Sequence, residues 1–185
     1  MPRVGLSNFH YAILSKEDAT GATYETPVSI PGIREADIKI GSSSDTLYAD
    51  DGPMDTATVL GEISLSIEMR DLDLATQAAL LGHKIVNGVL VSNADDTAPY
   101  VAVAFESKKA DGKKYYVKLL KGMFKEPDEN FKTKDNKVNF QTKKLEGNFV
   151  MRTSDHNWKY TADEGDSSYV AGIGANWYKS IEATA

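Results

Sequence analysis

The chain is 185 residues long with 41% hydrophobic and 26% charged residues, the length and apolar content of one folded domain and not of a disordered or fibrous polypeptide. Its 27 Asp and Glu against 21 Lys and Arg leave a net charge of -6, which argues against gripping a phosphate backbone by counter-ion release. No cysteine is present, so disulfide scaffolds, thiolate-bound metals and cysteine nucleophiles are excluded.

The first residues carry one basic side chain and no apolar core of a signal peptide, and the apolar runs fall far short of the ~20 residues that span a bilayer. The expectation is a chain that starts in the cytoplasm. Residues 33–40 alternate with period two, setting Ala36, Ile38 and Ile40 opposite Glu35, Asp37 and Lys39. Residues 42–58 lack a clean pattern and exceed ordinary hairpin connections, which predicts a long inter-strand loop. Residues 60–69 give the clearest strand: Gly61, Ile63, Leu65, Ile67 and Met69 share one face, and Glu62, Ser64, Ser66 and Glu68 the other.

Residues 74–81 read as the one helix, with Asp71 or Asp73 as N-cap, Gly82 beyond the last turn, and an apolar stripe of Leu74, Ala78 and Leu81. Two turns do not persist alone in water, so this helix must dock on a sheet. Asn87-Gly88 predicts a hairpin between residues 84–86 and 89–91, whose unbroken apolar runs suggest that both faces are covered. Asp111-Gly112 predicts a second, longer hairpin joining residues 100–107 to 114–121. Residues 125–137 form a polar run of mixed charge. In residues 140–152, Leu145, Gly147, Phe149 and Met151 oppose Thr142, Lys144, Glu146 and Asn148. Residues 165–168 read as a linker to the C-terminal stretch. The predicted fold is mainly β: a single domain spanning residues 1–185, a β-sandwich with one short flanking α-helix.

Chemistry is hard to find. No phosphate-cradling loop ends in Lys-Ser or Lys-Thr, and Gly172-Ile173-Gly174 lacks a third glycine. His10, His83 and His156 are scattered without metal-ligand spacing. Asp155-His156 has no nucleophile beside it, and the acids around Asp50-Asp51 lack the spacing of an EF-hand, so both read as surface features. No catalytic residue, metal ligand or cofactor is assigned. The wet strand faces read equally as ordinary solvated surface or as the lining of a cavity that must not adhere to a polyanion. An alternative reading from another class is a carbohydrate-binding or adhesion module, stacking sugar on Tyr48, Trp158, Trp177 and Tyr178.

Six blocks in order, Arg3-Val4-Gly5-Leu6-Ser7-Asn8-Phe9-His10-Tyr11-Ala12, Ala22-Thr23-Tyr24-Glu25-Thr26-Pro27, Thr46-Leu47-Tyr48-Ala49-Asp50-Asp51-Gly52-Pro53, Leu80-Leu81-Gly82-His83, Ala98-Pro99-Tyr100-Val101-Ala102 and Leu119-Leu120-Lys121-Gly122-Met123-Phe124, together resemble the major tail protein of long non-contractile phage (siphophage) tails. The resemblance implies a structural virion protein with no enzymatic activity and no cofactor. Hexameric rings would stack into a tube assembled in the host cytoplasm, with DNA passing through the lumen without specific binding. It implies a tape measure protein, a tail terminator and a distal tail protein as partners. It also implies four strands per subunit in a shared inner barrel. On that basis Glu35, Asp37, Lys39, Glu62, Ser64, Ser66, Glu68, Lys144, Glu146 and Asn148 are expected to line an acidic-on-balance lumen. The 42–58 segment, with Asp45, Leu47, Tyr48, Asp50, Asp51, Met54 and Asp55, is expected to bridge rings. Residues 163–185 receive no role.

Overall fold

The computed structural model describes residues 1–49, 52–129, 131 and 142–182, and for residues 43–49 and 52–59 the backbone alone. In chain order the elements are β1 (Arg3–Asp18), β2 (Gly21–Tyr24), β3 (Val28–Ser29), β4 (Ile33–Ala49), β5 (Gly52–Met69), α1 (Leu74–Leu81), β6 (Lys84–Val86), β7 (Val89–Val91), β8 (Val101–Lys109), β9 (Lys114–Phe124), β10 (Lys143–Phe149), β11 (Lys159–Asp163) and α2 (Ile173–Asn176). Nine strands form one antiparallel sheet in the order β2-β1-β8-β9-β10-β5-β4, with β3 beside β1 and β11 beside β9.

The sheet turns back on itself through β9. As far as Leu119 this strand lies between β8 and β11; its last residues, Gly122 to Phe124, pair instead with Gly147 to Phe149 of β10. The register slips between the Val101–Gly122 and Val103–Leu119 pairs, the mark of a bulge, and a bulge is how a strand turns a corner between layers. Gly122 stands at this corner because a Cβ there would lie 2.5 Å from the Phe149 ring. The two layers, β4-β5-β10 and β1-β8-β9-β11, then face each other across one core built from Phe9, Ile63, Leu65, Ile67, Val103, Val117, Leu119, Leu145 and Phe149.

The outer face of the β1-β8-β9-β11 layer is also covered. Trp177, Tyr178 and Ile181 from the C-terminal stretch pack over Ala102, Ala104, Tyr116 and Leu120, so β8 and β9 are buried on both sides. Residues 165–168, expected as a linker, form turns held to the body: Asp163 pairs with Lys109, and Glu164 accepts hydrogen bonds from Tyr116 and the Lys114 amide. Arg152 reaches Glu182 at 2.8 Å and also binds Asp155, which is therefore part of an ion pair and not a loose surface acid. Fully buried Lys118 donates to the Ser180 carbonyl at 2.8 Å, with its ammonium 4.3 Å from the Trp177 ring centre.

Other expectations need correcting. Residues 3–18, given no element from sequence, form the long strand β1. Its pairing slips between Ser7 and His10, where Asn8 takes a positive φ of 56°, so the apolar positions change parity. Residues 42–58 are not a loop. They extend β4 and β5 as a hairpin paired from Ser42–Leu60 to Ala49–Gly52; Asp50 and Asp51 lie outside the described residues. Ile40 and Met151, expected in the core, are exposed: Ile40 sits on the edge strand β4 beside Ile63, and Met151 follows the end of β10. A second, four-residue helix, α2, was not read from sequence.

Helix α1 forms as expected at its ends. Asp73 accepts from the Thr76 amide at 3.0 Å, and Gly82 takes the left-handed conformation with φ 77°. Its buried side differs from the expected stripe, however. Thr76, Gln77, Leu80 and Leu81 face inward, Gln77 donating to the Leu72 carbonyl, while Leu74 is exposed. Leu80→Ala is expected to lower the stability of the unassembled subunit by roughly 2–5 kcal/mol in urea unfolding, and Leu74→Ala by about 0.5 kcal/mol or less.

Burial pushes the Lys118 ammonium down to about 8 from an ordinary 10.5. The fold therefore disfavours the charged form, and this destabilisation is complete below about pH 8 and fades as the pH rises toward 10.5. The urea midpoint of the subunit should rise between pH 8 and 10, before tyrosine ionisation in the unfolded chain intervenes, and Lys118→Met should flatten that rise.

Candidate functional surface

Strict alternation in β4, β5 and β10 sends one set of side chains into the core and the other to the outside of the sandwich. Registers align the outer set into rows: Lys144, Glu68 and Glu35; Glu146, Ser66 and Asp37; Asn148, Ser64 and Lys39. Together with Glu62, all ten residues line a single concave surface with a volume of about 600 Å³. Gly41 and Lys125 also line it. Lys125 escaped the sequence reading because it lies beyond the end of β9, in the polar run; its amide donates to the Glu146 carbonyl at 2.8 Å and so brings it to this face.

Five carboxylates face three ammonium groups here, leaving two net negative charges. Two of these cations are held close to acids on their own strands: Lys144 to Glu146 at 2.7 Å and Lys39 to Asp37 at 3.8 Å. Arg34 reaches Glu68 at 2.8 Å from the edge strand. The hydrogen bond from Lys144 holds the Glu146 carboxyl below its usual range, and Glu146 in turn raises Lys144. This surface can present fixed charge of mixed sign.

Of the segment expected to bridge rings, the backbones of Asp45, Leu47, Tyr48, Met54 and Asp55 lie in the β4–β5 hairpin, with Asp45 paired to Ala57, Leu47 to Asp55 and Tyr48 to Pro53. The aromatics proposed as a sugar platform do not gather on the surface. Trp177 is buried, Trp158 packs against the main core, and Tyr178 stacks on His10 with ring centres 4.3 Å apart. The Tyr48 side chain lies outside the described residues.

One constellation was hidden by sequence distance. His83, after α1, lies between Asp96 at 2.8 Å and Glu126 at 2.9 Å, and the hydrogen bond to Asp96 leads in raising its pKa. The carboxylates are 13 and 43 residues away, so no local motif announces them.

A family model described as phage tail tube protein matches residues 19–169. The chain belongs to the phage tail tube protein family. It is a structural component of the virion tail and not an enzyme, and the family implies self-assembly into a tube with other tail components. The matched residues contain every strand but β1 and all ten residues of the concave surface; residues 170–182 of the C-terminal cover lie outside them. No curated protein matches the chain. Among the described residues no helix is long and apolar enough to cross a membrane.

Lys144→Gln is expected to raise the Glu146 pKa toward 4.5, followed by NMR titration of the side-chain carboxyl, while leaving the far-UV circular dichroism spectrum unchanged.

Proposed function

We propose that the concave face of β4, β5 and β10 lines the lumen of a siphophage tail tube built of stacked hexameric rings, and that genome DNA leaves through it on its way into the host cell. The observation that carries this reading is the convergence, in a tail tube family member, of ten polar side chains from three strands on one face backed by an apolar core. Strand β4 supports it as the last strand of the sheet path, its outer edge without a hydrogen-bonded strand among the described residues and so free to pair with a neighbouring copy.

The dimensions suit a duplex. The last residues of β9 add a fourth strand to β10, β5 and β4. Six such sheets make a barrel of about 24 strands, and at ~4.8 Å spacing and ~45° tilt its backbone radius is roughly 26 Å. Side chains reaching in ~6 Å leave a bore of about 40 Å, against roughly 20 Å for the duplex. Closing the ring also removes the open edge that a long edge strand presents to aggregation.

The β4–β5 hairpin is the element proposed to join one ring to the next. Among the described residues, 42–49 and 52–60 pair only with each other, and eight residues at ~3.3 Å each carry it about 26 Å past the end of β10. In this reading the ring subunits also meet a tape measure protein within the tube, a tail terminator at one end and a distal tail protein at the other, and assembly takes place in the host cytoplasm.

The test is a charge reversal. In Glu62→Lys/Glu68→Lys/Glu146→Lys the apolar face is untouched, so circular dichroism and tube formation in negative-stain images should match the parent. The reversed tubes should retain duplex DNA at low salt and release it as salt is raised. Reversed tubes that bind no more DNA than the parent would sink the lumenal assignment.

A further inference from the structure

Among the described residues the β6–β7 hairpin is apolar on both sides and largely uncovered, with Leu90 alone half-buried. Ile85, Val86, Val89 and Val91 are 43%, 53%, 61% and 46% exposed, and Lys84 is its one charged residue. Its Asn87-Gly88 turn has positive φ at both positions, the geometry that sets a tight two-residue connection. The expectation that both faces are covered therefore fails within the subunit. A two-stranded hairpin is marginal in water, and a concentrated apolar patch of this kind marks a contact with another protein.

The hairpin is presented on a firm base at a definite place. Helix α1 packs on both β9 and β6, and His83 between them is clamped by Asp96 and by Glu126, which follows β9. It thus stands on the side of the sandwich where β9 meets β10. On the other side β1 closes against β4. A groove of about 290 Å³ runs along that seam, lined by Leu6, Pro31 and Ile33 together with the polar Ser7, Asn8 and Ser29. Val28, 48% exposed, belongs to β3, directly before that lining.

A closed ring needs a head-to-tail contact between two different surfaces of the same chain. We propose that the β6–β7 hairpin of one subunit docks into the β1–β4 groove of the adjacent copy in its ring. This rests on the ring reading above: pairing the free edge of β4 to the next copy brings the β1–β4 side of one subunit against the β9–β10 side of its neighbour. The hairpin then faces the groove, where its exposed valines are covered against Leu6, Pro31 and Ile33. The occupant is a second copy of this chain.

The absence of cysteine makes the test direct. The double variant Val89→Cys/Val28→Cys, assembled as for the parent and oxidised with copper phenanthroline, should give a ladder of covalent species ending at six chains. Mixing the two single variants should stop at crosslinked pairs. Val89→Asp should leave the subunit's circular dichroism and melting unchanged while abolishing rings. Tubes that form normally in the double variant without crosslinks would overturn the docking proposal and spare the ring reading. Crosslinks that build a ladder without a limit at six would support the docking and overturn the hexamer. If neither the parent assembles nor the double variant crosslinks, both readings fall.

Discussion

The fold depends on β9 turning a corner. Up to Leu119 the strand has neighbours on both edges and cover on both faces, and by Gly122 it has joined β10 in the other layer. Side chains alternate strictly along a strand, so a continuous β9 would send Phe124 to the side opposite Leu119. The bulge supplies the extra residue that keeps both Leu119 and Phe124 in the same core, where Phe124 meets Phe149 edge to face at 6.1 Å. Only with that change of parity does β10 present Leu145 and Phe149 inward and Lys144, Glu146 and Asn148 outward, aligned with β5.

The C-terminal cover is the counterpart of this arrangement. A sheet that folds over its own core leaves the far side of the β1-β8-β9-β11 layer needing a partner, and residues 164–182 supply it. Polar anchors fix their position: Lys118 on the Ser180 carbonyl, Tyr178 on Glu106 at 3.1 Å, and Arg152 on Glu182. Glu106 also accepts from Asn8 at 2.9 Å, which ties the bulge of β1 to the same cluster. Buried charge of this kind is expensive unless paired, and it holds the cover in one register.

Legibility in the sequence followed burial. Residues 60–69 and 145–149 could be read because one face is dry and the other wet, and the same contrast let the ten residues of the concave surface be named before any coordinates. In β8, Val101 to Phe105 is buried on both sides, so its apolar run carries no phase. The bulge at Asn8 hid β1 by changing parity midway. The β4–β5 hairpin is not legible because Ser42-Ser43-Ser44-Asp45-Thr46 carries no apolar and polar alternation, yet backbone pairing extends the strands. In α1 the stripe of Leu74, Ala78 and Leu81 does not mark the buried side because polar Gln77 is buried, its amide donating to the Leu72 carbonyl.

Charge on the concave surface is arranged to be weak as well as negative. Lys39 and Lys144 each lie two residues from an acid on the same face, so a phosphate competing for either ammonium must displace a carboxylate already beside it. In the proposed tube, with its bore of about 40 Å, a centred duplex of roughly 20 Å would leave a gap of about 10 Å, close to the Debye length of ~8 Å at physiological salt. A duplex on the axis is therefore largely screened from the wall. One that drifted outward in that tube would meet two net negative charges per subunit and be pushed back. In the proposed tube, a modest excess of acid is enough to keep the wall from holding DNA, and a stronger field would add little that salt did not remove.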